Sequence, residues 1–156
     1  FEHGMRLGPV TRLLGRFVVA PPVSDVPCET DWVAGASMIV RKEVFDTIGL
    51  LDEAYFMYYE EVDFCLRARR AGFKCGYVPA SRVVHLVGQA SGVTDKAKAN
   101  KRRPQYWFDS RRRYFIKNHG RLYATLADAA LAVSFALWRV RRRLQRKPDL
   151  DPERML

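Results

Sequence analysis

Three carboxylates, Glu60, Glu61 and Asp63, crowd into four positions directly behind the aromatic run LLDEAYFMYY. A carboxylate held beside a substrate hydroxyl can take its proton as the oxygen attacks. Acids in a first helical turn are also ordinary partners of the helix dipole, and Asp63 with Arg67 has the i, i+4 spacing of a helical ion pair. Spacing alone leaves both readings open. His85 closes the β-type run VPASRVVH, where a side chain can project from rigid backbone into a cleft, as a metal ligand or as a hydrogen-bonded structural residue. Tyr55, Phe56, Tyr58 and Tyr59 offer flat faces that can stack on a ligand ring or fill a core.

These side chains need elements to position them. Lys42 to Ile48 reads as a short helix stopped by Gly49, and Glu60 to Ala71 as a helix with acids in its first turn, Arg67, Arg69 and Arg70 toward its end, and Gly72 as terminator. The apolar run WVAGASMIVR, Trp32 to Arg41, has Gly35 and Ala36 in its middle and suits a buried strand or strand pair that another backbone approaches closely. Phe73 to Val78 and Arg82 to Val87 are short β-type runs separated by Pro79. Residues 1–30, with Pro9, Pro21, Pro22 and Pro27, form an irregular lead-in with at most one short strand at Phe17 to Ala20. A further helix is expected over Tyr106 to Asn118, stopping before Gly120. The expected class is α/β: a short mixed sheet from the Trp32 and Phe73 to Val87 runs, the Glu60 helix packed on it, and a C-terminal helical extension.

At 156 residues, 48% hydrophobic and 28% charged, the chain suits one globular domain with a tail. Its net charge of +10 is unevenly placed. Residues 1–100 carry 12 basic and 12 acidic side chains, whereas residues 101–156 carry 15 and 5. The mostly apolar stretch Leu122 to Trp138, about 17 residues and near the lower limit for a bilayer span, runs straight into Arg139, Arg141, Arg142 and Arg143. Over residues 121–156 this suggests a basic amphipathic helical tail on an anionic membrane surface, or a packed helix with a solvated basic end. No nucleic-acid-binding motif accompanies the charge, so nucleic acid is not expected as a partner. Cys28, Cys65 and Cys75 are too few and too irregular for a disulfide framework or a zinc site, which fits a reducing, cytoplasmic setting. Phe1 begins the sequence without a signal-peptide pattern, as in a processed chain or a fragment.

Four pieces in order, DWVAGASMIVRKEVFDTIGLLDE, YFMYYEEVDFCLRARRAGF, VPASRVVH and RRRYFIKNHG, resemble the family 2 (GT-A type) glycosyltransferases. The likeness is to the bacterial rhamnosyl- and galactofuranosyl-transferase-like members that build cell-surface polysaccharide, and it covers roughly Asp31 to Gly120. It implies a partial GT-A fold in which residues 31–120 form the acceptor-side half, the donor-binding half lying outside the chain. The implied activity is inverting transfer from a nucleotide-sugar to a glycan or polyprenyl-diphosphate-linked acceptor, at the inner face of the cell membrane. A non-catalytic remnant or partner-binding module of the same fold is the alternative.

Residue by residue, the resemblance places the catalytic base at Glu61, where many members have Asp. Asp31, Trp32, Gly35 and Ala36 match the segment beside sugar and acceptor. Asp52, Glu53 and Tyr59 match the loop shaping the acceptor pocket; Glu60 and Asp63 are expected either to be structural or to orient the acceptor, with Arg67 on the acceptor side. His85 matches a ligand completing coordination of Mg²⁺ or Mn²⁺, a hard cation suited to diphosphate oxygens. That cation is held mainly by an Asp-X-Asp motif of the donor side. Asp149 and Asp151 have this spacing but lie in the charged tail after Pro148, and no metal role is expected of them.

Overall fold

The structure, a computed structural model, describes residues 24–84 and 104–146. Five elements follow in order: β1 (Cys28–Thr30), α1 (Lys42–Ile48), α2 (Glu60–Arg70), β2 (Cys75–Tyr77) and α3 (Gln105–Leu144). The described part is mixed α/β with a two-stranded sheet, β1 antiparallel to β2, in which Cys28 faces Tyr77 and Thr30 faces Cys75.

Both short helices form where the sequence places them. In α1, Lys42 pairs with Asp46 one turn on, and Gly49 closes the helix at φ 76°, its N–H donating to the Phe45 carbonyl. Val44 is buried, and the Phe45 ring lies 5.3 Å from that of Phe64, which packs α1 on α2. α2 carries Glu60, Glu61 and Asp63 in its first turn and Arg67, Arg69 and Arg70 in its last, so its charges oppose its dipole at both ends. Its inward face buries Asp63, Phe64 and Cys65.

The sheet departs from expectation. Trp32 to Val40 forms a loop rather than a strand, turning at Gly35 and Ala36, where the Ser37 N–H donates to the Ala34 carbonyl. An apolar run needs a partner strand as well as β propensity, and the small residues favour the turn here. The strand that pairs with β2 comes from Cys28 to Thr30, within the stretch read as irregular, because three residues are too few to show an alternating pattern. Arg82 to Val84 joins no strand; the rest of that run, His85 and Phe17 to Ala20 fall outside the described residues.

α3 folds back on itself. Gly120 adopts φ 87° and ψ 167°, a conformation open essentially to glycine alone, and divides the element into a first arm, 105–119, and a second arm, 121–144. In a continuous helix Arg111 and Asp128 would stand about 25 Å apart at 1.5 Å per residue. Instead they form an ion pair, Arg112 joins the same carboxylate, and Arg111 also donates to the Ala127 carbonyl. Phe115 and His119 likewise meet Tyr123 across the bend, at ring separations of 5.5 and 4.7 Å. The expected helix and the apolar stretch after it are therefore two arms of one hairpin.

Candidate functional site

Glu61 sits in the first turn of α2, half-buried against the Gly35 turn. A Cβ added to Gly35 would lie 3.7 Å from the Cβ of Glu61, so the 32–37 loop passes close over this carboxylate. Its Oε2 is buried and accepts no hydrogen bond, and the same holds for Oε2 of the adjacent Glu60. Burial raises the Glu61 carboxyl above its ordinary range and the Glu60 charge adds to this, while backbone N–H groups, including those of Gly35 and Val62, offset part of the rise. A carboxylate with raised proton affinity and a free oxygen is suited to accept a proton.

Asp63 behaves in the opposite way. It is fully buried at 0% exposure, and its carboxylate accepts from Lys117 Nζ at 2.7 Å, Asn118 Nδ2 at 2.9 Å, Arg67 Nε at 3.0 Å and the Tyr55 hydroxyl at 3.4 Å. Burial pushes its proton affinity up, but the bonds from Lys117, Asn118 and Arg67 overcome this and leave it below the usual carboxylate range. Arg67 also donates from Nη1 and Nη2 to the Ile48 and Leu50 carbonyls at 2.6 and 2.8 Å. Asp63 and Arg67 thus fix α2 against the preceding loop, the structural one of the two roles left open for Asp63 by the sequence.

Asp52 extends the same network. Lys117 at 2.8 Å chiefly holds its carboxyl well below the ordinary range against the opposing effect of burial, with help from Arg113 at 2.9 Å and the Ala54 N–H. Lys117 therefore bridges Asp52 and Asp63. The Tyr55 ring is buried beside this bridge, with Arg113 and Lys117 over its face, and burial followed by the Asp63 charge makes its hydroxyl harder to ionise. Glu53 lies exposed in the adjoining turn. Lys117, Asn118 and Arg113 were not singled out from the sequence, although RRRYFIKNHG contains all three.

The aromatic loop is held against the first arm of α3. Tyr58 and Tyr59 both take φ 70°, the left-handed region that costs bulky side chains energy, and Tyr59 forms the N-terminal boundary of α2. Tyr59 packs on Trp107 and Tyr114 at 6.2 and 5.5 Å, Tyr58 stacks on Tyr106, and Ser110 Oγ donates to the Met57 carbonyl. Phe56 contacts Tyr106 yet remains 77% exposed, which leaves an aromatic face open to solvent close in sequence to Glu61.

Of the remaining expected site residues, Trp32 is half-buried and Ala36 exposed in the loop over Glu61. Asp31 pairs with Arg69, two turns along α2 from Glu61, at a cavity of about 260 Å³ that Thr30, Phe73 and Cys75 also line. The structure therefore brings Gly35 to Glu61, and Asp52 to Asp63 through Lys117, but draws Asp31 toward the far end of α2. Among the described residues no group of three or more His, Cys, Asp or Glu can hold a metal ion. His85 lies outside them.

Over about half its length the chain is similar in sequence to glycosyltransferases, the class that the four motifs resemble. It is 46% identical over 78 residues to the rhamnosyltransferase WbbL of Escherichia coli, covering 49% of this chain and 30% of the relative. It is 35% identical over 78 residues to the low-salt glycan biosynthesis hexosyltransferase Agl10 of Haloferax volcanii, covering 50% and 25%. It is also 39% identical over 61 residues to the N-acetylglucosaminyl-diphospho-decaprenol L-rhamnosyltransferase of Mycobacterium tuberculosis, covering 39% and 20%. The matched segment thus spans under a third of each of these relatives. No family model and no solved structure matches the chain.

Proposed function

We propose that the chain supplies the acceptor side of an inverting family 2 glycosyltransferase of GT-A type, with Glu61 as general base. The carrying observation is the Glu61 carboxylate itself: raised in proton affinity, with Oε2 free of hydrogen bonds, in a chain related over half its length to glycosyltransferases. In the proposed step an acceptor hydroxyl attacks the anomeric carbon from the face opposite the nucleoside diphosphate. Its proton passes to Glu61, the new glycosidic bond forms, and the sugar–phosphate bond breaks with its electron pair leaving on the diphosphate.

The sugar comes from a nucleotide-sugar, and the acceptor is a glycan or a polyprenyl-diphosphate-linked glycan of cell-surface polysaccharide synthesis. The diphospho-decaprenol in the name of the mycobacterial relative supports that acceptor class. A divalent cation, Mg²⁺ or Mn²⁺, would neutralise charge on the leaving diphosphate. The described residues do not by themselves furnish a site for it, so His85 is proposed as one ligand on the resemblance alone.

The test is Glu61→Gln in the full-length enzyme, with kcat measured against the wild type. A loss of about 10²–10⁴-fold with an unchanged circular dichroism spectrum is expected. Undiminished turnover removes Glu61 as base, and a wild-type protein that transfers no sugar from any nucleotide-sugar supports the non-catalytic module instead.

A further inference from the structure

The second arm of α3 carries an apolar stripe on its outer face. Leu122, Leu126, Val133, Leu137, Val140 and Leu144 are all exposed, from 52% at Leu137 to 80% at Leu144. At about 100° per residue the six fall within a sector roughly 60° wide, and from first to last they extend about 33 Å. Ala124 is buried on the side opposite the stripe, and Ser134 is buried about 90° round from its centre. Arg141 and Arg143 are exposed on either side of the stripe near its end, with Arg121 at its start and Arg146 just beyond it. Asp128 is the sole acid between Arg121 and Leu144, and it is turned inward by its pairs to Arg111 and Arg112.

We infer that this stripe docks on an anionic lipid surface, lying in the plane of the headgroups with its leucines and valines in the acyl boundary and Arg141 and Arg143 on lipid phosphates. Charge complementarity selects that occupant. A second copy would oppose arginine-bordered stripes of like charge, and a nucleic acid would satisfy the arginines but leave the leucines and valines in water. The orientation follows from the hairpin. The Arg111–Asp128–Arg112 link ties the middle of the second arm to a polar first arm, so a crossing of the bilayer would carry these charges into hydrocarbon. A helix in the interface keeps them on the aqueous side.

Co-sedimentation with phosphatidylcholine vesicles, with and without about 30% phosphatidylglycerol, tests the inference. At least a tenfold preference for the anionic vesicles, falling as salt is raised, is expected. The double variant Leu126→Asp, Val133→Asp should lower binding about tenfold with helicity unchanged, since both side chains are exposed. Arg141→Ser with Arg143→Ser should abolish the preference for anionic lipid. Equal partition into both vesicle types, or an aspartate variant that binds as well as the wild type, overturns the inference. So does tighter binding to duplex DNA than to anionic vesicles, or a solution dimer that Leu126→Asp dissociates. None of these readouts involves sugar transfer, so their failure leaves the proposed transferase reading standing.

Discussion

Glu61 is held in an environment that disfavours its own charge. Its folded-state proton affinity is raised, so ionising it costs more in the fold than in the unfolded chain, and that cost grows as pH rises from the ordinary carboxylate range through its folded value. Glu61→Gln removes the charge and should stabilise the protein at neutral pH by roughly 1 kcal/mol, about 2–4 °C in Tm, while removing transfer. Thermal melts of the two proteins side by side would show it, and a lower Tm in the variant would mean that Glu61 is a structural anchor. If Glu61 is the proposed base, the same shift should move the acidic limb of the kcat profile above the ordinary carboxylate range, because a protonated carboxyl cannot accept the proton. At this scale the sequence was half legible. The EEVD cluster announced itself by spacing and the resemblance singled out Glu61, but the anchoring of Asp63 was not readable, because it depends on Lys117 and Asn118, 54 and 55 residues away from Asp63.

Between elements, that anchor joins α2 to the first arm of α3, and its loss has a definite sign. The carboxyls of Asp63 and Asp52 are depressed, so the stability they contribute is complete above their unfolded values near pH 4 and is lost as pH falls toward their folded ones. Asp63→Asn leaves Lys117 and Arg67 without their buried counter-charge and should cost about 3 kcal/mol at neutral pH. It should also flatten the fall in stability measured by urea unfolding below about pH 4. Gly120→Ala places a Cβ on a glycine-only conformation and should cost about 1–3 kcal/mol, opening the Arg111–Asp128 side of the hairpin. A Tm equal to wild type would show that the bend tolerates a side chain. Gly49, Gly72 and Gly120 marked helix ends in the bare sequence, but not that the helix resumes after a bend at Gly120. Trp32 to Arg41 did not reveal its loop, because an apolar run reads alike whether it pairs with a strand or arches over a carboxylate.

Across the whole molecule, five apolar side chains are buried among the described residues, Val44, Tyr55, Phe64, Cys65 and Ala124, and charged contacts do much of the joining. The excess of positive charge was plain in the sequence, as was an apolar stretch ahead of it. Its outward face was not, because only the fold-back at Gly120 decides which side of the second arm is covered. The clamp at Asp63 also bears on how the chain folds. Lys117 closes on a partner 54 residues earlier, and gathering a loop of that length costs roughly 3–4 kcal/mol of chain entropy before the contact returns anything. Contacts of such range are expected to form after the local helices and the α1–α2 packing, because their loop entropy must be overcome first. Lys117→Met and Asn118→Ala should therefore speed unfolding in stopped-flow denaturant jumps while leaving the refolding rate within about twofold. The bridge works as a latch, setting how long α2 stays seated rather than how quickly it arrives.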